Sequence, residues 1–147
     1  MAGKDRRERF SSRSRMITLL RKPVRIRNRV VVGLNDTVFA AWAARRLRRL
    51  GWGVHLVRSA AEARRLTAEF SPQVVVLGTR LPDESGWLTC EKILRHDPTL
   101  KVVLVASQGE RDGEAFGKFV GAAALVHQED GVQALIDEIV QTGASVI

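Results

Sequence analysis

The residues that could do chemistry are few and lie far apart in the sequence. The three histidines, His55, His96 and His127, show none of the short spacings that are typical of zinc ligands. Cys90 is the only cysteine, so the chain forms no internal disulfide and offers a metal no second thiolate. Ser107 is not set in the glycine-flanked turn of a nucleophile elbow. We therefore predict no metal, no cofactor and no enzymatic activity.

The charged residues are distributed unevenly. The formal net charge is +8, and residues 1–29 hold eleven basic groups against two acidic ones, so the rest of the chain is close to neutral. The residues assigned to anion or nucleic-acid binding are Arg6, Arg7, Arg9, Arg13, Arg15, Arg21, Lys22, Arg25 and Arg27. A polybasic segment binds acidic proteins, nucleic-acid phosphates or anionic lipids through its charge, and it also serves as a plain solvated tail.

The apolar pattern predicts one α/β domain over residues 29–141, between a largely disordered arm at 1–28 and a tail at 142–147. Short apolar runs rich in β-branched residues predict strands at 29–34, 54–58, 74–78, 101–107 and 123–127. Helical spacing predicts helices at 37–51, 60–70, 87–95, 111–121 and 131–141, the second of them opened by a capping box at Ser59 and Glu62. This alternation is typical of a parallel sheet covered by helices on both faces.

Two further features bear on where the protein works. No apolar run approaches the roughly 20 residues of a membrane span, and no signal peptide follows the basic start, so we expect a cytoplasmic protein. Trp42 is expected in the core of the first helix, whereas Trp52 and Trp87 lie at element ends where either is a possible interface anchor. The arginines at 45–49 fit a solvated helix face or an extension of the basic arm.

The segment after the third predicted strand carries a resemblance to a known family. Gly78 ends that strand, and Pro82 and Gly86 follow it at offsets of four and eight residues. This pattern resembles the receiver domain of bacterial response regulators, over about residues 29–141 and including Gly121. The resemblance implies a flavodoxin-like, doubly wound sheet of strand order 2-1-3-4-5, with its site at the carboxyl ends of the strands.

The same resemblance implies a site for phosphoryl transfer, whose positions can be located here one by one. The phosphoacceptor aspartate position holds Gly78, and the acidic pair that binds Mg²⁺ falls on Leu34 and Asn35. Asp36 lies one residue further on, where its side chain is expected to leave the pocket, although a one-residue shift would bring it in. A single carboxylate is in either case a poor ligand set for Mg²⁺.

The remaining positions have also changed residue type. The hydroxyl position after the fourth strand holds Ala106, with Ser107 next to it, and the lysine position after the fifth holds Gln128 or, in the other register, His127. The aromatic switch position holds Leu125. We interpret the chain as a degenerate receiver, a pseudo-receiver without a phosphoacceptor.

The leading hypothesis is a phosphorylation-independent module for protein interaction or scaffolding in bacterial signalling, whose basic arm binds an acidic partner. Its partner surface is predicted within residues 111–141, with homodimerisation possible, and the candidate contact residues are Phe116, Phe119, Leu125, Trp87 and Arg80. Arg80 is also a candidate for filling the vacant pocket or binding an anion. Asp83 and Glu84 are expected to be a solvated pair that caps the following helix.

A nucleic-acid-associated regulator is the alternative of a different class. In that case the basic arm binds DNA or RNA without sequence preference, since no base-reading motif is present. A nucleotide-binding enzyme is disfavoured, because the first strand-to-helix turn at 33–37 lacks the glycine spacing with which a backbone approaches phosphates.

Overall fold

A computed structural model describes residues 26–107, 109–110 and 120–144. Its five strands pair in parallel in the order β2-β1-β3-β4-β5, which confirms the predicted sheet. Their bounds are β1 Ile26–Gly33, β2 Gly53–Val57, β3 Pro72–Gly78, β4 Lys101–Ala106 and β5 Ala124–His127. Four α-helices within the described residues connect or follow them: α1 Thr37–Arg49, α2 Ala60–Phe70, α3 Gly86–His96 and α4 Val132–Ala144.

The central strands are apolar because helices cover them on both sides. In β1, Val30 and Val32 point into a core layer with α1 and α4, while Val31 points into the layer that α2 and α3 cover. β3 is buried at all of its positions. A short 3₁₀ turn, Gln128–Asp130, separates β5 from α4. The helix predicted over 111–121 lies almost wholly outside the described residues.

Both predicted domain boundaries move outward. β1 begins at Ile26, so Arg27 is part of the sheet and not of the arm. Asn28 has a left-handed backbone, with φ of 56°, at an irregularity in the β1 register, and its N–H donates to Gln73 Oε1 over 2.7 Å. The buried Gln73 amide donates in turn to the Gly143 carbonyl over 2.7 Å. This bond ties Gly143 to the sheet, and α4 runs to Ala144, which corrects the predicted tail at 142–147.

The helix starts follow the sequence signals. Asp36, Ser59 and Ser85 have extended backbones and cap α1, α2 and α3 through side-chain oxygens. Ser59 Oγ accepts from the Glu62 N–H over 3.1 Å, but Glu62 returns its bond to the N–H of Arg58 and not to Ser59. The predicted capping box is therefore present with a displaced second bond.

The expectation that Trp42 lies in the core is wrong. The core face of α1 is formed by Phe39, Ala43 and Leu47, which recur at helical spacing, and Trp42 falls about a quarter turn outside it. Its side chain is 49% exposed, whereas Trp52 is buried at 8%. Helical periodicity allowed either placement, and the smaller alanines of α1 fit against the sheet.

Gly86 allows the first turn of α3 to lie directly on the end of β3. Its N–H donates to the Thr79 carbonyl over 2.9 Å, and a Cβ at this position would lie 1.9 Å from the Gly78 carbonyl oxygen.

We predict that Gly86→Ala lowers the free energy of unfolding in urea by about 1–3 kcal/mol, because the backbone must shift to admit the methyl group. Gly53→Ala is the control, since its Cβ would meet nothing closer than 3.9 Å. An equal effect of both substitutions would contradict this role of Gly86.

Candidate functional site

A cleft of about 340 Å³ opens at the carboxyl edge of the sheet. It lies where β1 leads to β2 on one side and β3 leads to β4 on the other, which is the usual place for ligands in a doubly wound sheet. Its lining comprises Leu34, Asn35, Asp36, Gly78, Arg80, Val105, Ser107 and Gln128. The fold thus brings together most of the positions that the sequence singled out. Ala106, His127 and Leu125 are not part of the lining. Ala106 is fully buried, and its neighbours Val105 and Ser107 face the cleft.

Gly78 and Leu34 form the floor of the cleft. Gly78 ends β3 and is buried, and it presents no side chain. Leu34, which is 4% exposed, fills this region: a Cβ at position 78 would lie 3.4 Å from its Cδ2 atom. The floor is therefore apolar, and polar groups lie at its rim.

Asp36 lines the cleft, which corrects the expectation that its side chain points away. As the N-cap of α1, its Oδ1 accepts from the N–H groups of Val38 and Phe39 over 3.1 and 3.0 Å. Its Oδ2 accepts from Gln128 Nε2 over 2.7 Å, joining the end of β5 to the start of α1. The hydrogen bond from the Phe39 N–H, followed by that from Gln128, lowers the pKa of Asp36 below its ordinary value of 3.8. Both carboxylate oxygens are thus already engaged within the protein.

Glu110 was not singled out by the sequence, yet its carboxylate links two strand ends. Its Oε1 accepts from Thr79 Oγ1 over 2.5 Å and from the Ser107 N–H over 3.1 Å. Thr79 directly follows β3 and is 2% exposed, and Ser107 directly follows β4. The loop after β4 is consequently tied to the loop after β3 by an anionic group of the protein itself.

The acidic pair in the loop after β3 is structural, but not as expected. Asp83 caps α2 and not the following helix: its two oxygens accept from the N–H groups of Ala60 and Ala61 over 2.8 and 3.0 Å. The bond from Ala60, followed by that from Ala61, lowers the pKa of Asp83. Ser85 caps α3 in its place.

Glu84, the other member of the pair, braces α3 from outside. Its two oxygens accept from Lys92 Nζ and Thr89 Oγ1, each over 2.6 Å. Burial raises the pKa of Glu84, but the bonds from Lys92 and Thr89 outweigh this and leave it lowered. The β3–α3 loop is thus held at both of its acidic residues.

The other candidates are scattered. Arg80 is exposed at the rim of the cleft, and its backbone bridges to Ser85. Trp87 and Leu125 are half-buried and pack against the core layer of α2 and α3. Phe116, Phe119 and the arm up to Arg25 lie outside the described residues. Cys90 is buried, as expected, and burial followed by the charge of Glu91 raises the pKa of its thiol to about 12.

Two features are absent from the described residues. Over 26–107, 109–110 and 120–144, no three His, Cys, Asp or Glu side chains are grouped so that they could hold a metal ion. Within the same ranges, no helix has the length and apolar character needed to cross a membrane.

The fold and the position of the cleft define a flavodoxin-like domain, and comparison with known proteins specifies the family. The model of the response regulator receiver domain matches residues 32–139, so the chain belongs to this family. This confirms the family that the sequence motif at 78–86 indicated.

Solved structures agree in fold. A putative response regulator from Chloroflexus aurantiacus J-10-fl is 21% identical, with a TM-score of 0.74 over 81% of this chain and 99% of that one. A CheY-like receiver domain protein from Methanospirillum hungatei JF-1 is 19% identical, with a TM-score of 0.75 over 82% and 97%.

One curated relative is also similar. The chain is 34% identical over 89 residues to the adventurous-gliding motility protein Z of Myxococcus xanthus (strain DK1622). The match covers 59% of this chain but only 6% of that protein. The two are therefore compared only within the matched segment.

We predict that Asp36→Ala lowers the free energy of unfolding by about 1 kcal/mol at neutral pH, whereas Asp36→Asn, which retains a capping oxygen, costs only a few tenths. Because the pKa of Asp36 is lowered on folding, the stability from its ionised form is present above its unfolded pKa. That stability is lost as the pH falls through the folded pKa, so native protein and Asp36→Asn converge in acid. Denaturant unfolding over a pH series measures this. Equal costs for Ala and Asn at neutral pH would contradict the capping role.

We predict that Glu110→Ala costs about 1–2 kcal/mol of unfolding free energy, because the buried Thr79 hydroxyl and the Ser107 N–H lose their acceptor. Glu110→Gln keeps a carbonyl oxygen there and restores at least half of the loss. Amide hydrogen exchange gives a local readout: the Ser107 N–H exchanges faster in Glu110→Ala than in Glu110→Gln. Unchanged exchange at Ser107 in both variants would show that the tie is not formed in solution.

Proposed function

We propose that this receiver domain works without phosphorylation, as a pseudo-receiver that binds a protein partner in bacterial signalling. The observation that carries the proposal is the glycine at the end of β3, at the floor of the cleft. In the family this position holds the aspartate that accepts the phosphoryl group. Gly78 has no atom that can form an acyl phosphate.

The surroundings of Gly78 support the same conclusion. Mg²⁺ is bound in such sites by carboxylate oxygens and water. Leu34 and Asn35, at the acidic-pair positions, carry no carboxylate, and both oxygens of the neighbouring Asp36 accept hydrogen bonds within the protein. A cation would have to displace these bonds and would gain a single anionic ligand.

Hydrogen bonds within the protein connect the strand ends around the cleft. Gln128 binds Asp36 across the cleft, and Glu110 accepts from Thr79 and Ser107 at the ends of two strands. A ligand shifts a conformational equilibrium only by its differential affinity for the two states, and here no phosphoryl group supplies one. We therefore propose that the domain stays in one state and that partner binding is constitutive.

The direct test is intact-mass measurement after incubation with a small acyl phosphate and Mg²⁺. We predict no phosphoryl adduct on the native chain. We also predict none on Gly78→Asp, because Leu34 and Asn35 still provide no cation site. The Cβ of an aspartate at position 78 would lie in ordinary contact with Leu34, 3.4 Å from Cδ2, and circular dichroism verifies that the variant is folded.

The triple variant Gly78→Asp/Leu34→Asp/Asn35→Asp is the control. It tests whether the absence of an adduct on the native chain reflects its residues and not an inactive phosphodonor. It restores the three carboxylates of the family site, and thermal stabilisation by Mg²⁺ shows whether its cation site has formed. A stoichiometric adduct on the native chain would overturn the pseudo-receiver proposal.

The partner surface is proposed within residues 111–141, together with Trp87 and Arg80. Of the described part, Leu125 is half-buried and leaves some apolar surface, and Arg80 extends from the rim of the cleft. The similarity to a segment of a gliding motility protein supports a role in bacterial cell signalling, within the small fraction of that protein that is matched.

The basic arm is proposed to strengthen binding to an acidic partner. A full-length variant in which the arginines and lysines of residues 4–22 are replaced by glutamine tests this against native protein, in pull-downs at several salt concentrations. Loss of one protein partner, with the domain still folded, supports the arm's role. Recovery of nucleic acid in its place, lost with the same substitutions, would favour the nucleic-acid alternative.

A further inference from the structure

The outward face of α1 carries a stripe of four side chains that the site does not use. Val38, Trp42, Arg45 and Arg49 follow one another at intervals of four, three and four residues, so they lie on one side of the helix. This side is turned away from the core face of Phe39, Ala43 and Leu47. The stripe extends over about 16 Å, at 1.5 Å per residue.

The amino-terminal half of the stripe is apolar and open to solvent. Val38 is 65% exposed and Trp42 is 49% exposed, and both rank among the most exposed large apolar side chains of the described residues. A tryptophan side chain that is half exposed contributes less burial free energy to folding than a fully buried one. Tryptophan is, by contrast, the residue most enriched at the energetic centres of protein interfaces.

The carboxyl-terminal half is cationic, and neither Arg45 nor Arg49 forms an ion pair with another described residue. α1 contains four arginines and no acidic residue. Arg46 and Arg48 donate to neutral oxygens, Gln133 Oε1 over 2.8 Å and the Val54 carbonyl over 3.1 Å. Arg45 lies over the Trp42 ring, with its Cζ 5.3 Å from the ring centroid. The ion pairs among the described residues involve none of the four.

We infer that this stripe, Val38–Trp42–Arg45–Arg49, is a docking surface for an acidic segment of another protein that carries apolar side chains at one end. The apolar side chains cover Val38 and Trp42, and carboxylates about two turns away pair with Arg45 and Arg49. Arginine suits this task because its planar guanidinium binds a carboxylate through two parallel hydrogen bonds.

Charge and shape favour a protein over nucleic acid. A phosphate backbone would pair with Arg45 and Arg49 but gains nothing from the apolar side chains of Val38 and Trp42. A peptide that carries its apolar and acidic groups at opposite ends matches both halves. The inference does not depend on the absence of phosphorylation.

The probe is a synthetic helical peptide of roughly 15 residues, with two leucines one turn apart near one end and two glutamates one turn apart near the other. A scrambled peptide of the same composition, in which leucines and glutamates are interleaved, controls for attraction to the basic arm. Binding to the full-length chain is followed by NMR chemical shifts. We expect shifts at the Trp42 indole and at the Val38, Arg45 and Arg49 amides, and an affinity at least tenfold above that of the scrambled peptide.

Variants on two helices locate the surface. Trp42→Ala and Arg45→Glu/Arg49→Glu are each expected to weaken peptide binding about tenfold or more. Leu88→Ala and Arg64→Glu/Arg65→Glu are the matched controls, because they remove an exposed apolar side chain from α3 and the same charge from α2. We expect these controls to change the affinity less than twofold, and circular dichroism verifies that each variant is folded.

Several results would overturn the proposal. Equal binding of the scrambled peptide, or equal loss in the α2 charge variant, would show attraction by net charge alone. Tighter binding of duplex DNA that shifts the arginines but not Val38 and Trp42 would identify a nucleic-acid surface. Self-association in sedimentation that Trp42→Ala abolishes would assign the stripe to a second copy of the chain. No binding of the peptide at about 1 mM would reject the surface.

Discussion

Burial of β3 on both faces is the constraint on which the rest of this structure depends. The strand lies in the middle of the five-stranded sheet and is buried at all seven positions, so its residues are selected for packing. Its exit at Gly78 forms the floor of the cleft, and Gly86 brings the start of α3 within hydrogen-bonding distance of Thr79. This strand end thus contributes both to the cleft and to the start of α3.

Most polar groups around the cleft are paired with one another. Several carboxylates in one cleft repel one another and are tolerated only when a cation is bound. In this cleft Leu34 and Asn35 carry no charge, and Asp36 caps α1 and accepts from Gln128. Glu110 reaches in from the loop after β4 and satisfies a hydroxyl and an N–H that would otherwise be left without an acceptor. The result is a receiver fold whose loops are held by its own side chains.

Basic and acidic side chains are distributed unevenly over the surface of the domain. The domain is close to neutral in total, yet α1 carries four arginines and no acid, whereas the acids of the β3–α3 loop are consumed by α2 and α3. Arg48 contacts a backbone carbonyl, Arg46 an amide oxygen and Arg45 an indole ring. None of these partners carries a negative charge, so the positive charge of each arginine is not neutralised. An average over the composition therefore conceals a locally basic face.

Sequence alone was sufficient for those features that depend on neighbours along the chain. The β-branched runs predicted the strands, and Ser59 with Glu62 predicted the start of α2. The glycine and proline spacing at 78–86 indicated the family, and that resemblance implied the sheet order and the place of Gly78 at the site. Tertiary structure decided what depends on residues far apart. The Asp36–Gln128 bond spans 92 positions and the Thr79–Glu110 bond spans 31, and no periodicity announces such a pair. The same holds for Asp83, which caps the helix before its own loop, and for Trp42, whose helical spacing fits core and surface equally. Local sequence patterns reflect backbone geometry and burial. Which polar side chains form hydrogen bonds with one another depends on the tertiary structure, because the sheet brings the ends of distant strands close together.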